Sequence, residues 1–486
     1  MNITMILEMA ASGGERAAVT RDGRSLTAAE LLGLARRAAG RFRDAPAVLY
    51  RGVNHLAYPV ALFGAALAGV PFVPLNYRLG SDQLEEIARR HPGALVLGPD
   101  DLDDLVDGPA ESDPGAEQEA APWDQDAVAV ILYTSGTTAA PKAALLRHKH
   151  LLAYVLNTLE FGSAADGDAA LVAVPPYHVA GLTNLLSNLY TGRRVVYLPA
   201  FDAEEWLATV RAERVTHAML VPTMLARIVD RVPDGGDAGT PSLRSLAYGG
   251  ARTPRTVVEK ALRAFPTTDF ANAYGLTETA SSIAVLGPED HRAAVASDDP
   301  AVRDRLTSVG RALPGVEIAV RTEDGTPCEA GETGLVFVRG DQISGEYRGR
   351  SALDADGWFP TRDRGRLDAE GYLFIEGRAD DTIIRGGENI APAEIEDVLL
   401  AHPGVTEAAV VGVPDEEWGQ RIVAVLVGDG DPDEIRQWAK ARLRTSKTPD
   451  VIVFRPELPR TDTGKLLRRA LLAELDTLDS LETTHA

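Results

Sequence analysis

The feature that most limits this chain is a set of short runs with almost no polar interruption, AVAVILYT at 127–134 and AALVAVPP at 169–176, set between segments of helical period. A strand that is apolar at nearly every position cannot turn either face to water, so such runs imply sheets covered on both sides by helices. Suitable helices lie between them. LTAAELLGLARRAAGRF places Thr27 and Glu30 in capping-box register and lines up Leu31, Leu34, Ala35 and Ala38, which predicts a helix from residue 28. The expected class is α/β.

At 486 residues the chain is longer than one hydrophobic core serves, so more than one domain is expected. We read residues 1–379 as a large N-terminal domain of packed sheets and helices. Within it, 315–376 shifts to hairpin-like strands with Gly turns and reads as a β-rich subdomain, and the acidic Pro/Gly-rich stretch over 106–123 reads as a surface excursion. Residues 380–486 read as a small α+β C-terminal domain. Its strands are expected at 405–413 and 421–427, and its helices at 392–401, 432–443 and 466–475. Pro392 suits a first helical turn and Pro403 a stop.

A formal net charge of −22 repels phosphate backbones and anionic lipid, so nucleic acid and membrane surfaces are excluded as partners, and any phosphate site must be built locally. The single cysteine, Cys328, allows no internal disulfide. The N-terminus has no basic leader and the most apolar run, 59–75, is short and broken by Pro71. We therefore expect a cytoplasmic protein without a membrane span.

Four segments carry candidate chemistry. In LYTSGTTAAPKAAL, 132–145, an apolar strand runs into hydroxyls (Ser135, Thr137, Thr138), a permissive Gly136 and the cation Lys142, a set suited to cradling phosphates. It is not a Walker A loop, because no Gly-Lys-Ser/Thr follows at the required spacing. NAYGLTETA, 272–280, offers Tyr274 for stacking on a base, Thr277 for a phosphate and Glu278 as a hard oxygen ligand for Mg²⁺. Between 357 and 396, Asp363 is placed to accept two ribose hydroxyls and Arg378 to reach a sugar or phosphate. LPRTDTGKLLRR, 458–469, sets Lys465 on a Gly-flanked loop before a helix.

In this order and spacing the four segments resemble the adenylate-forming superfamily of acyl-CoA synthetases, peptide-synthetase adenylation domains and beetle luciferases. The resemblance runs from the helix at 28 to the terminal lysine loop. It implies a large N-terminal domain and a small mobile C-terminal domain, with ATP and Mg²⁺ as cofactors. By motif, Thr134, Ser135, Gly136, Thr137, Thr138 and Lys142 resemble the phosphate loop, with Thr137 also beside the metal. Gly249, Gly250 and Ala251 of LAYGGA resemble a wall of the adenine and acid pocket. Asn272, Tyr274 and Gly275 would face the nucleotide, with Tyr274 on adenine. Thr277 and Glu278 resemble the phosphate and Mg²⁺ ligands, Asp363 the ribose ligand, Arg378 a nucleotide contact, Asp380 the hinge and Lys465 the adenylation lysine. His178 of PPYHVAGL matches the family's histidine loop beside the acid.

The activity this implies is ATP-dependent conversion of a small or medium acyl or aryl acid to its adenylate, with release of pyrophosphate, then transfer to coenzyme A. Rotation of the C-terminal domain would withdraw the lysine and present the loop at Gly386 and Gly387. Motifs leave three other outcomes open. The adenylate can pass to a carrier-protein thiol, or to an amine, including through adenylation of nitrite for diazotisation. A chain of this pattern can also persist as an inactive nucleotide-binding module. Ala139, Ala143 and Arg362 depart from glycines usual in the family, and Tyr248 either narrows the pocket or belongs to the core.

Overall fold

The computed structural model describes residues 1–108, 123–134, 142–233, 235–386, 388–415, 417–461 and 464–482. The apolar runs form strands of two large sheets. A seven-stranded sheet has the order Arg350–Ser351, Glu346–Tyr347, Lys142–Arg147, Val128–Thr134, Phe72–Pro74, Val48–Tyr50, Leu95–Leu97. A nine-stranded sheet runs Arg311–Ala312, Ser281–Leu286, Asp269–Leu276, Ser245–Gly249, His217–Leu220, Ala169–Val172, Arg194–Tyr197, Ala17–Arg21, Arg24–Thr27. The central strands are parallel and buried, as their unbroken apolar sequences require.

The largest core lies where helices Ala28–Phe42, Ala57–Ala68 and Val179–Thr191 pack against these sheets. The first begins at the expected residue, and Thr27 and Glu30 close the capping box. Ala57–Ala68 is apolar all round and buried on nearly every side, so the run at 59–75 is an internal helix followed by a buried strand. No helix among the described residues is long and apolar enough to cross a membrane.

A four-stranded antiparallel sheet follows, Val316–Arg321, Gly334–Gly340, Phe359–Leu367 and Leu373–Arg378, with its own core at Val320, Val336, Val338, Phe359 and Leu373. Beyond the 3₁₀ turn Ala379–Asp381 comes a hairpin, Ile383–Arg385 with Glu388–Ile390. A three-stranded sheet then joins Val405–Asp415, Gly419–Gly428 and Val451–Phe454. Helices Pro392–Leu400, Pro432–Lys440 and Arg468–Glu482 accompany that sheet, and two small cores lie on its opposite faces. The hairpin and the strand Val451–Phe454 are additions to the sequence reading; both are too short for alternation to reveal.

This last unit rests on the rest of the chain at defined points. Arg252 forms an ion pair with Asp397. Gly464 sits so close to Thr223 that a Cβ on it would lie 2.1 Å from the Thr223 hydroxyl oxygen. Side-chain bulk there would push the lysine loop off its seat.

Candidate active site

Strand pairing assembles the first half of the site. Asp363 and Arg378 lie opposite one another on adjacent antiparallel strands, so Arg378 Nη1 donates to Asp363 Oδ1 at 2.9 Å and to the Thr361 carbonyl at 3.1 Å. From the nine-stranded sheet, the Tyr274 hydroxyl donates to Asp363 Oδ2 at 2.5 Å. Burial, with the Asp363 charge beside it, holds the Tyr274 pKa well above the ordinary tyrosine value, so the hydroxyl stays a donor. Asp363 is buried with a donor on each oxygen, the condition under which a buried carboxylate is tolerated.

Glu278 stands in the 3₁₀ turn Thr277–Thr279 that ends strand Asp269–Leu276. Its carboxylate is buried, and Oε1 accepts the Tyr347 hydroxyl at 2.6 Å. The turn then leaves by two residues in the left-handed region, Ala280 at φ +52° and Ser281 at φ +125°. Its peptide groups are held from outside: Ser344 N and Gly345 N donate to the Glu278 carbonyl at 2.9 and 3.0 Å.

Lys465 reaches this cluster from the C-terminal unit. The charges of Arg378, Asp363, Asp381 and Glu278 all act on its ammonium. Desolvation by the surrounding protein, with the Arg378 charge, lowers its pKa below the ordinary lysine value. A lysine, the Asp363–Arg378 ion pair and a hydroxyl-bound glutamate thus come from segments as far apart as residues 274 and 465.

The remaining candidates fall as follows. Ser135, Gly136, Thr137 and Thr138, with Ala139, lie outside the described residues, as does Gly387. Thr134 and Lys142, at the two ends of that loop, are paired in antiparallel register and so fix its mouth. Ala143 is buried against Leu49, Val73 and Ile131, so alanine in place of the family's glycine fills a core position. Gly249 and Gly275 serve close backbone approach: a Cβ on either would fall 2.0 Å from a carbonyl oxygen, of Ala273 and Ser281 respectively. Gly250, at φ +88°, turns the chain out of its strand towards Ala251. Asn272 spends its amide on the Ser308 carbonyl at 3.0 Å, and Thr277 opens the Glu278 turn.

His178 caps helix Val179–Thr191, its Nδ1 accepting the Ala180 N–H at 3.2 Å. Burial brings its pKa down to about 4, so at neutral pH it is an uncharged imidazole with the proton on Nε2. Tyr248 belongs to the core. It is fully buried and its hydroxyl pairs with His291 Nε2 at 2.9 Å, which removes it from the pocket wall. Asp380 lies in the Ala379–Asp381 turn, 3.9 Å from Arg362. Gly386, at φ +56°, donates its N–H to the Trp418 carbonyl at 2.8 Å.

The donor set suits magnesium carried in with a nucleotide. No group of three metal-ligating side chains exists among the described residues, and no described residue bonds the second oxygen of Glu278. Mg²⁺ is commonly held by one or two carboxylates plus substrate phosphates, so a single buried glutamate is an appropriate protein share. Tyr347 was not legible in sequence: it lies 69 residues from Glu278, in no motif, on a two-residue strand.

Comparison with known proteins gives a consistent answer. The profile of the AMP-binding enzyme family matches residues 7–348, and that of the AMP-binding enzyme C-terminal domain matches 394–465. A feruloyl-CoA synthase of Amycolatopsis is 36% identical over 478 residues, spanning 93% of this chain and 94% of that protein. ATP-bound MatB from Rhodopseudomonas palustris superposes with a TM-score of 0.85 at 27% identity, covering 98% of this chain and 99% of that one. O-succinylbenzoate coenzyme A synthetase (MenE) from Bacillus subtilis, in complex with ATP and magnesium ion, superposes at 0.79 with 28% identity, covering 96% and 98%.

Proposed function

Because the chain belongs to the AMP-binding enzyme family, we propose that it is an AMP-forming acid:coenzyme A ligase acting on a carboxylic acid with an aryl group, through the cluster around Asp363, Glu278 and Lys465. The observation that carries this reading is the bonding of Asp363 by Tyr274 and Arg378 across two sheets, with Glu278 held by Tyr347 in the turn that follows Tyr274. The aryl preference rests on the names of relatives, which include feruloyl-CoA synthase and indoleacetate–CoA ligase.

A carboxylate is a poor electrophile, and making it an acyl phosphate with AMP as leaving group removes that obstacle. A carboxylate oxygen attacks the α-phosphorus of ATP, the bond to the bridging oxygen breaks, and pyrophosphate leaves. Negative charge grows on the oxygens around phosphorus, and Lys465 is the preorganised cation that meets it. Mg²⁺, when bound, neutralises phosphate charge, with Glu278 as its protein ligand. Asp363 accepts from the ribose hydroxyls while Arg378 and Tyr274 keep it fixed, so positioning is built into the fold.

In the second half-reaction the thiol sulfur of coenzyme A attacks the acyl carbon, the carbon–oxygen bond to AMP breaks, and the thiol proton passes to solvent. Lys465 has no part in that step, and we assign Asp380 as the hinge about which residues 380–486 turn to withdraw it. His178, uncharged, can lie beside an acyl group without attracting the carboxylate away from phosphorus.

The test is ATP–pyrophosphate exchange across aliphatic, aromatic and inorganic acids, followed by AMP and thioester formation with and without coenzyme A. Exchange and thioester with aryl carboxylic acids is the expected result. Exchange with an acid but transfer only to a carrier-protein thiol or an amine would move the acceptor, and absence of exchange with every acid would leave a nucleotide-binding module.

A further inference from the structure

The Glu278 turn carries strain that its own sequence meets through the Thr279 hydroxyl, which accepts from Leu276 N at 2.9 Å and donates to the Ser281 carbonyl at 2.6 Å. Ala280 and Ser281 both have positive φ, and such residues persist only where neighbours over-determine them. From outside, one short segment, Gln342–Tyr347, holds the turn at several points, beside a bond from the Thr183 hydroxyl to Ser281 Oγ at 3.0 Å. Gln342 is buried and its Nε2 donates to the carbonyls of Thr279 at 3.0 Å and Ser282 at 2.8 Å, on either side of the strained pair. Ser344 N and Gly345 N close on the Glu278 carbonyl. Tyr347 OH closes on the Glu278 carboxylate at 2.6 Å.

The same segment is tied to the strand that leaves the phosphate loop. The Ser344 hydroxyl donates to the Leu145 carbonyl. Glu346 accepts a two-point ion pair from Arg147, at 2.7 and 2.6 Å. Tyr347 pairs with Ala144 across the strands, and Arg350 lies over its ring at 5.2 Å, which fixes the ring plane. Six consecutive residues therefore bond the glutamate turn on one side and strand Lys142–Arg147 on the other.

The geometry points to Tyr347 as a positioning residue for the metal-binding carboxylate, at the end of a brace that fixes the distance between Glu278 and the mouth of the phosphate loop. The inference rests on the reading of Glu278 as the Mg²⁺ ligand. By occupying Oε1, the phenol leaves Oε2 for the metal and restrains rotation of the carboxylate. A partner that orients a metal ligand typically changes metal affinity or activity 10- to 100-fold when lost. In this reading Tyr347 acts only through Glu278, so its effect should appear in the metal dependence and nowhere else.

Tyr347→Phe removes one oxygen and keeps the ring. We expect the Mg²⁺ concentration for half-maximal ATP binding, read by calorimetry, to rise about tenfold or more. ATP binding in chelator without divalent metal should stay within about twofold, and thioester formation from presynthesised adenylate, which has no pyrophosphate to neutralise, should be unchanged. Equal weakening of ATP binding with and without Mg²⁺, or no change in either, would overturn the assignment. Glu278→Gln separates the premises. If it raises the Mg²⁺ requirement and Tyr347→Phe does not, Glu278 keeps its role and the brace loses its own; if Glu278→Gln leaves the requirement unchanged, the reading of Glu278 itself fails.

Discussion

The Tyr274 hydroxyl and the Asp363 carboxylate are bonded at 2.5 Å across two different sheets, joining the residue assigned to adenine with the one assigned to ribose. This bond ties the nine-stranded sheet to the four-stranded sheet at the proposed nucleotide site. Tyr274→Phe should lower stability by about 1–3 kcal/mol, because it leaves one oxygen of a buried carboxylate without its donor. It should also raise the ATP concentration needed for half-maximal exchange. Urea unfolding and exchange kinetics check the two effects; weaker ATP binding with unchanged stability would mean that the hydroxyl serves the ligand alone.

Lys465→Ala should depress adenylate formation by about 10²–10³ while leaving ATP binding nearly intact, since one preorganised charge-stabilising group is removed. Transfer from presynthesised adenylate to coenzyme A should continue close to the wild-type rate. The pH profile carries the same signature. Burial and Arg378 lower the lysine pKa, so as pH rises the cation is lost earlier than in a free lysine, and adenylation should fall on the alkaline side. Lys465→Arg, which keeps its charge, should lose that alkaline limb. A common decline of both half-reactions would refute the division of labour.

Asp380→Pro should impair thioester formation more than adenylation. Proline fixes φ near −65°, a value that a 3₁₀ turn such as Ala379–Asp381 accommodates, so the arrangement seen here survives while rotation away from it is blocked. Separate assays of the two half-reactions decide it, and equal loss in a folded variant would remove the hinge assignment.

Arg362 occupies a backbone conformation made for glycine, at φ +63°, and its contact with Asp380 is a half-exposed ion pair at 3.9 Å. An exposed pair of this kind contributes at most about 1 kcal/mol. Left-handed backbone costs an L-residue roughly 1–2 kcal/mol. Arg362→Gly should therefore be as stable as the parent or slightly more so. Arg362→Val, β-branched and held at the same φ, should be less stable than Arg362→Gly by about that amount. Urea midpoints compare them, and a marked loss in the glycine variant would show that the guanidinium holds more than Asp380.

The layers of this protein were legible because burial on two faces leaves a one-dimensional trace: unbroken apolar strands, a capping box at Thr27, a helix-period stripe after it. The proposed phosphate-loop and Glu278 segments were read from chemistry packed into consecutive residues, and Asp363, Arg378 and Lys465 were proposed from the motif pattern that links them. What sequence left open was decided by pairing at long range. Tyr248 reads equally as pocket or core until His291, 43 residues on, is seen to take its hydroxyl. Arg362 reads as an anomaly until its φ shows the glycine conformation it inherits. Tyr347 carries no motif, and only the pairing of its two-residue strand with Lys142–Arg147 brings it to Glu278. Local sequence determines which residue types are at hand and which face they occupy; a bond between residues dozens of positions apart depends on sheet order and register, which the whole chain settles together.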